Sequence, residues 1–196
     1  MKEWRSVKKF SDEKVSRETV EELMFETTKA PTAFNLQPYR FLIIESDTGF
    51  EKISESLVPG NEWVLEADKI ALLIGYEDFT RNLGDALDDM HGRGEIGLEE
   101  MKDLRERINS YRERGEVFVS SWINRNTMFP AVFFMKSCQN RGIGTCPVRG
   151  FSQEKVSEHL DLEADERPVL LIPFGYPEKE GERHWRREAK EIFDFV

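Results

Sequence analysis

The strongest chemical signal in this chain is the placement of its basic residues near the two ends. Residues 2–9 and residues 183–190 each carry a net charge of +3, and the rest of the chain carries −16. Arg and Lys donors suit phosphate oxygens, so the two segments would form an anion site if the fold brought them together. Ordinary surface charge is the alternative, and spacing alone does not separate the two. The basic residues are Lys2, Arg5, Lys8 and Lys9 in the first segment and Arg183, Arg186, Arg187 and Lys190 in the second.

Other residues with catalytic potential are scattered along the chain. Residues 92–97 match the letters G-x-G-x-x-G of a dinucleotide-binding loop, but no buried strand precedes them, so we interpret them as a turn. Cys138 and Cys146 do not form a CxxC pair, and a catalytic Cys–His pair stays open on composition alone. No pair of carboxylates stands out as an acid–base couple. The three histidines, which have no metal-ligand spacing, are His91, His159 and His184.

Length and composition predict one globular domain and exclude several classes of protein. The chain has 196 residues, of which 39% are apolar and 34% charged, and its net charge is −10. This acidic balance disfavours general binding to nucleic acids or anionic membrane surfaces, which depends on neutralising phosphates. No apolar run is long enough to span a bilayer, and residues 1–10 lack the apolar stretch of a signal peptide. We therefore expect a cytoplasmic protein whose two cysteines are free thiols.

Hydrophobic periodicity predicts an α+β fold with a mixed central sheet flanked by helices. Short apolar runs predict strands at 41–44, 70–74 and 169–174, which do not alternate regularly with helices. We interpret residues 1–196 as a single domain in which about 87–118 form a helical excursion. Within the last predicted helix, Pro130 must either produce a kink or open the second half. The predicted helices are 16–29, with Ser16 as the cap, 50–57, 98–114 with one narrow apolar stripe, and 122–140.

Four segments, in order along the chain, resemble motifs of the FMN-dependent nitroreductase family. The family motif R-S-x-R/K-x-F is similar to residues 5–10, and the segment A-P-S-x-x-N-x-Q-P-W-x-F is similar to residues 30–41. The flavin-contacting loop resembles residues 142–151, and the G-Y-P strand end with basic residues beyond it resembles residues 174–187. Any one match could arise by chance, whereas four ordered matches that span residues 5–187 are specific. Features shared with the oxygen-insensitive bacterial branch are Trp122 with Asn126, and Asn61 with Glu62.

The resemblance implies an intertwined homodimer with two FMN sites at the subunit interface. Arg5, Ser6 and Arg187, together with Arg186, would hold the ribityl phosphate, in agreement with the charge clusters. Lys8 would lie at the N1–C2=O edge of the flavin, where a cation stabilises the anionic reduced ring. Asn61 would hydrogen-bond the pyrimidine edge, and Pro147, Val148, Arg149 and Gly150 would pack along the ring, with an N–H of Arg149 or Gly150 directed at N5. Asn126 is a further implied cofactor-binding residue. Pro31, Thr32 and Asn35 would come from the second subunit.

Three positions depart from the family pattern. Trp4 stands where the family often has a second basic residue before Arg5, and Val64 stands where this branch usually carries a lysine. Tyr39 replaces the usual Trp. The first two departures remove cations near the flavin, so they bear on FMN affinity and reduction potential more than on FMN binding itself.

In function, the resemblance implies an FMN-dependent NAD(P)H oxidoreductase. By a ping-pong scheme, NADH or NADPH would deliver hydride to flavin N5 and leave, and a small-molecule acceptor such as a nitroaromatic or a quinone would then be reduced in the same place. The flavin carries this chemistry, so no side chain is expected to act as a nucleophile or general acid. Residues 98–114 and 118–122 are candidate walls of the substrate channel. Two alternatives stay open: a dehydrogenase, flavin reductase or dehalogenase on the same fold, and a flavin-binding or regulatory module without turnover.

Overall fold

The computed structural model describes residues 3–196, so Lys2 of the first basic segment lies outside the described residues. Within that range, no helix is long and apolar enough to cross a bilayer. The helices are α1 (Arg17–Thr27), α2 (Asp47–Ser54), α3 (Leu83–Gly92), α4 (Leu98–Ser110), α5 (Glu116–Asn140) and α6 (Gln153–His159). The strands are β1 (Tyr39–Ile44), β2 (Lys69–Tyr76), β3 (Gly144–Thr145) and β4 (Glu166–Gly175). Short 3₁₀ turns cover Ala33–Asn35, Glu62–Glu66, Arg112–Arg114 and Ala189–Glu191.

The four strands form one sheet in the order β1-β2-β4-β3. All three ladders are antiparallel; for example, Leu72 of β2 lies between Leu42 of β1 and Leu171 of β4. The α+β class is confirmed, but the expected mixed sheet is not found within residues 3–196. The segment that connects β1 to β2 leaves and re-enters the sheet at the same end, and so does the segment that connects β2 to β4. Each return reverses the strand direction.

Helices cover both faces of the sheet, which explains the continuous apolar runs in its central strands. All eight residues of β2 are buried. Ala71 and Leu73 pack in a cluster with residues of α1 and α5, whereas Ile70 and Leu72 pack on the opposite face with residues of α2 and α6. Successive side chains of a strand point to opposite faces, so a strand covered on both sides has a continuous apolar run, here Ile70 to Ile74.

Three of the flanking helices, α1, α2 and α6, begin at a serine cap. Ser16 accepts a hydrogen bond from the Thr19 N–H at 3.1 Å and begins α1, as predicted. Helix α2 begins at Asp47, three residues before the predicted start at Phe50, because Ser46 accepts from the Gly49 N–H at 3.2 Å. The apolar pattern locates the buried face of such a helix but not its polar first turn.

Helix α5 runs unbroken through 25 residues and carries Pro130 in its interior. It begins at Glu116, six residues before the predicted start at Trp122. At about 1.5 Å per residue the helix is roughly 37 Å long, enough to cross the whole sheet. Pro130 therefore does not open a separate helix.

The excursion between β2 and α5 has an apolar cluster of its own. Phe79, Leu83 and Leu87 pack there with Leu104 and Ile108 of α4. Helix α4 begins at Leu98 as predicted but ends at Ser110, and a 3₁₀ turn replaces its predicted last residues. Gly92 is the last residue of α3, and residues 93–97 form the predicted turn between α3 and α4, with no strand before the first glycine.

Candidate functional site

The N-terminal segment lies along the β3 end of the sheet and is fixed by backbone hydrogen bonds. The Val7 N–H donates to the Thr145 carbonyl at 3.1 Å, and the Ser11 N–H donates to the Tyr176 carbonyl at 2.8 Å. The approach at Gly144 is close, since a Cβ there would lie 2.7 Å from Val7 side-chain atoms. Residues 5–9 are therefore held in place beside strand β3.

The two basic segments lie next to each other. Arg5 forms an ion pair of 2.9 Å with Glu180 and donates to the Gly181 carbonyl at 3.4 Å. Arg186 donates to the Trp4 carbonyl at 3.4 Å, next to Arg5 in the chain. Arg187, in contrast, donates to the Glu191 carbonyl of its own segment. Within one chain, Arg186 thus approaches the N-terminal segment and Arg187 does not.

A pocket of about 470 Å³ opens between these segments. A second pocket of about 600 Å³ adjoins it and shares Val7 and residues 179–181. Gly181 passes so close to the Ser6 carbonyl that a Cβ would lie 2.5 Å from its oxygen. Both volumes are within the usual range of small-molecule sites. The first pocket is lined by Ser6, Lys8, Lys9, Cys146, Gly181 and His184, among others.

Asn61 and the loop after β3 meet at a short contact. The Asn61 side-chain amide donates to the Gly150 carbonyl at 3.3 Å and to the Val58 carbonyl at 3.2 Å. A Cβ on Gly150 would lie 2.2 Å from the Asn61 amide nitrogen, so this position accepts only glycine at the present spacing. Within residues 3–196, the N–H groups of Arg149 and Gly150 donate to no protein acceptor. Two backbone donors of this loop are therefore available to a ligand.

Lys8 and Cys146 connect the N-terminal segment to that loop. The Lys8 ammonium lies 5.0 Å from the centre of the Trp63 ring, two residues beyond Asn61. The Cys146 side chain hydrogen-bonds with Ser6, and burial raises the pKa of its thiol despite this bond and the nearby charge of Lys8. Cys146 is thus a buried neutral thiol. Both cysteines are free, as predicted.

The loop residues differ in exposure. Val148 is buried, and its backbone pairs with Leu171 of β4 by hydrogen bonds of 2.8 and 3.0 Å. Pro147 and Arg149, on either side, are exposed. The pairing of Val148 anchors the loop to the sheet and leaves its neighbours open to a ligand.

Pro31, Thr32 and Asn35 lie in a different part of the molecule. The Thr32 hydroxyl accepts from the Gln37 N–H at 3.0 Å and closes a tight turn. Phe34, Asn35 and Gln37 have φ values of 53°, 52° and 44°, in the left-handed region that strains residues other than glycine. We call Ser6, Lys8, Asn61 and the loop at 147–150 the Ser6 group. Within residues 3–196, no hydrogen bond or ion pair joins segment 31–37 to the Ser6 group.

Asn126 holds this strained segment against α5. Its side-chain oxygen accepts from the Ala33 N–H at 2.7 Å, and its amide nitrogen donates to the Trp122 carbonyl at 2.9 Å. Asn82, which sequence analysis did not identify, donates from the other side to the Leu36 carbonyl at 3.0 Å and the Gln37 carbonyl at 3.1 Å. Both asparagines position the segment.

One face of helix α5 carries unusually exposed apolar side chains. Val117 is 85% exposed, and Phe129 and Val132 are each 50% exposed. The groove beside them has a volume of about 970 Å³, and Met128 and Arg125 contribute to its lining. An apolar face of this kind marks an interaction surface.

Comparison with known proteins identifies the group to which this architecture belongs. The model of the nitroreductase family matches residues 1–176. The chain belongs to the nitroreductase family. One relative is MhqN from Bacillus subtilis, which is named by inference as an NAD(P)H nitroreductase. It is 27% identical to this chain, and the match covers 99% of this chain and 94% of MhqN.

Solved structures of nitroreductase-type proteins have the same fold. A protein from Staphylococcus epidermidis described as an NAD(P)H:FMN oxidoreductase matches with a TM-score of 0.87, covering 98% of this chain and 92% of that one at 23% identity. A nitroreductase-type protein from Exiguobacterium sibiricum, solved in complex with FMN, matches with a TM-score of 0.85, 98% and 93% coverage and 23% identity. The recognised resemblance and the nitroreductase-like fold are therefore confirmed.

Sequence analysis missed several pocket residues because their roles come from long-range contacts. Gly181 lies in a charged, turn-like stretch with no distinctive pattern, and its closeness to Ser6 is visible only in the fold. The Thr145 hydroxyl is buried and has no hydrogen-bond partner in the described part of the chain. In the sequence, Thr145 is marked as a candidate site residue only by its position in the loop 142–151, which resembles the flavin-contacting loop of the family.

Proposed function

We propose that this protein is a cytoplasmic, FMN-dependent NAD(P)H oxidoreductase that works as a homodimer and reduces small-molecule acceptors such as nitroaromatics or quinones. The observation that carries the proposal is the arrangement of Ser6, Lys8, Asn61 and the loop at 147–150 in a chain of the nitroreductase family. Two adjoining pockets carry Arg and Lys donors, and the loop that Asn61 contacts carries two backbone N–H groups without an acceptor among residues 3–196. The chain acts as one domain, with α3 and α4 as its helical excursion.

The residues of the two adjoining pockets and of the loop at 147–150 fit FMN. Phosphate requires cationic and hydroxyl donors, which Arg5 and Ser6 provide beside the second basic segment. The flavin ring requires donors to its nitrogens and carbonyl oxygens, and these are available from Arg149 and Gly150. The buried hydroxyl of Thr145, without a protein partner, is a further polar group at the neighbouring pocket. The absence of a side chain at Gly150 and Gly181 lets these residues pack closely against Asn61 and Ser6.

Each of these groups then has a task. Arg5, Ser6 and Arg186 hold the phosphate, and Arg187 joins them after it leaves its contact with Glu191. Lys8 stabilises negative charge at the edge of the ring. Asn61 and residues 147–150 orient the ring along the end of the sheet. Bound FMN supplies the two-electron chemistry between NAD(P)H and the acceptor, in ping-pong order. The protein needs no nucleophile of its own.

A second copy of the chain would complete the site. Pro31, Thr32 and Asn35 make no polar contact with the Ser6 group within one chain, which supports their action on the partner's flavin. The exposed apolar face of α5 offers the surface through which two copies associate. The last residues, 182–196, are exposed throughout and include Trp185 at 81% and Phe195 at 94%. Such a tail fits an intertwined dimer.

The test begins with the visible spectrum of the purified protein. We expect a yellow protein that binds one FMN per chain and is bleached by NADH or NADPH without oxygen, then reoxidised by a nitroaromatic or quinone. A colourless protein that takes up no added FMN would refute the proposal. Bound FMN that neither nucleotide bleaches would favour the non-catalytic flavin-binding module instead.

A further inference from the structure

An aromatic cluster joins segment 31–37 to the excursion and to helix α5. The Trp122 ring lies 5.0 Å from Phe79, 5.6 Å from Tyr111 and 5.7 Å from Phe118, measured between ring centres. Phe34 stacks on Trp122 at 6.3 Å with the two rings inclined by only 9°. The strained turn that contains Phe34 is thus packed directly against the wall formed by α5 and the end of α4.

Two guanidinium groups cover the outer side of this cluster. Arg107 lies 5.8 Å from the Phe34 ring centre, and Arg114 lies 4.6 Å from Tyr111 and 5.0 Å from Phe118. Both arginines are exposed. A guanidinium that stacks on an aromatic face keeps its N–H donors free at the edge, where they can bind a planar anion.

Neither guanidinium is neutralised by the protein. Within residues 3–196, the side chains of Arg107 and Arg114 form no ion pair or hydrogen bond, although Asp103, Glu106 and Glu113 occur close by in sequence. Their neighbours behave differently: Arg112 pairs with Asp78 at 3.2 Å, and Lys102 pairs with Glu99 at 2.8 Å. The two arginines over aromatic rings are left with uncompensated charge.

The position of Arg107 relates this charge to the flavin. Phe34 lies between Thr32 and Asn35, two residues that the proposed function places at the flavin of the partner subunit. A group that contacts Phe34 is therefore near the place where electron donor and acceptor stack. This step rests on the proposed function.

We propose that Arg107, with Arg114 beside it, selects substrates that combine an aromatic ring with an anionic group. The chemistry is a carboxylate or phosphate held by guanidinium donors next to stacked rings. The anion has two sources, a carboxylate on the acceptor or the extra 2′-phosphate that distinguishes NADPH from NADH. Arg107 is a specificity-determining residue for whichever molecule carries the anion.

The acceptor arm compares 4-nitrobenzoate with the neutral 4-nitrobenzyl alcohol in FMN-loaded protein. In Arg107→Gln we expect the ratio of kcat/KM for the anion to that for the alcohol to fall about tenfold or more, as for loss of a charged hydrogen bond. The affinity of oxidised holoprotein for 4-nitrobenzoate, measured by calorimetry, should fall in parallel. Arg107→Lys should restore part of both values. The control Lys102→Gln removes a paired charge from the same helix and should change neither.

The donor arm compares the rates at which NADPH and NADH bleach the bound FMN without oxygen. A tenfold fall of the NADPH-to-NADH ratio in Arg107→Gln, with the acceptor ratio unchanged, would support the proposal and assign the anion to the nucleotide. Ratios that stay unchanged in both arms would overturn it, as would an equal fall in Lys102→Gln. A wild-type protein that neither nucleotide bleaches shows a different failure, that of the proposed function, and removes this inference with it.

Discussion

The carboxamide of Asn126 joins helix α5 to the backbone of Ala33 by a hydrogen bond of 2.7 Å. Asn126 is only 5% exposed, so little solvent competes for its oxygen, and its nitrogen donates to the Trp122 carbonyl. This bond restrains the turn in which Phe34 and Asn35 adopt left-handed backbone angles. A strained turn persists only where its surroundings hold it, and here the holding residue comes from the helix with the open apolar face.

Asn126→Ala should therefore destabilise the protein and loosen segment 31–37. Loss of the acceptor leaves the Ala33 N–H without a partner, which costs about 1–3 kcal/mol of the free energy of unfolding. Urea denaturation measures this change, and titration with FMN measures the accompanying loss of flavin affinity. Asn109→Ala, at an exposed site on α4, is the matched control and should leave both quantities unchanged. An unfolding free energy equal to that of wild type would contradict the positioning role.

Arg5→Ala should weaken FMN binding by about 10- to 100-fold, as expected for a charged hydrogen bond to phosphate. Fluorescence titration of the apoprotein with FMN gives the dissociation constant. Arg187→Ala is expected to lose FMN as well, although within one chain its guanidinium contacts Glu191. The control Arg17→Ala removes an exposed arginine that forms an ion pair with Glu45. If Arg5 served only its ion pair with Glu180, Arg5→Ala would resemble this control.

Local patterns in the sequence predict the elements of this fold better than they predict its site. Helix α1 and strand β2 follow from a serine cap and a continuous apolar run, both of which act over a few residues. The contact between Asn126 and Ala33 spans 93 positions, and that between Asn61 and Gly150 spans 89. No periodicity encodes such pairs. Resemblance to the family supplied the residues, and the fold then divided them into two separate groups.

Gly150→Ala tests the contact between Asn61 and the loop. A methyl group would lie 2.2 Å from the Asn61 amide nitrogen, so the side chain must move and its hydrogen bond to the Gly150 carbonyl must lengthen or break. We expect FMN affinity to fall at least tenfold while the far-ultraviolet circular dichroism stays unchanged. In contrast, a Cβ at Gly84 in helix α3 would meet nothing within 4 Å. Gly84→Ala should stabilise the protein by up to about 1 kcal/mol and retain FMN. Normal FMN binding by Gly150→Ala would refute the assignment of this loop.

Phe129→Glu tests the apolar face of α5 as the dimer surface. Full burial of a Phe side chain contributes about 1.5–3 kcal/mol; about half of this is available at Phe129, which is 50% exposed, and a symmetric interface loses it twice. We expect the dimer dissociation constant to rise at least about tenfold, with a shift towards monomer in light scattering and loss of bound FMN. Leu98→Glu is the control, because Leu98 is 62% exposed at the first turn of α4, where a carboxylate is tolerated. A dimer that survives Phe129→Glu would place the interface elsewhere.

Glu26 gives the protein a pH-dependent link between α1 and the end of α5. Hydrogen bonds from Arg141, at 2.9 and 3.0 Å, and from Ser137 lower the pKa of Glu26 from its ordinary value of 4.5 to about 2. Because folding lowers this pKa, the ionised carboxylate stabilises the folded chain fully above about pH 4.5 and loses that effect as the pH falls towards 2. The Glu26 side chain is 37% exposed, so solvent screening reduces the gain to about 1 kcal/mol. Glu26→Gln should therefore unfold more easily than wild type at pH 6, and the difference should vanish near pH 2. Glu22→Gln is the control, because Arg141 contacts that carboxylate at the longer distance of 3.4 Å, and its unfolding free energy should differ less from that of wild type. A Glu26→Gln difference in unfolding free energy that does not change with pH would contradict the link.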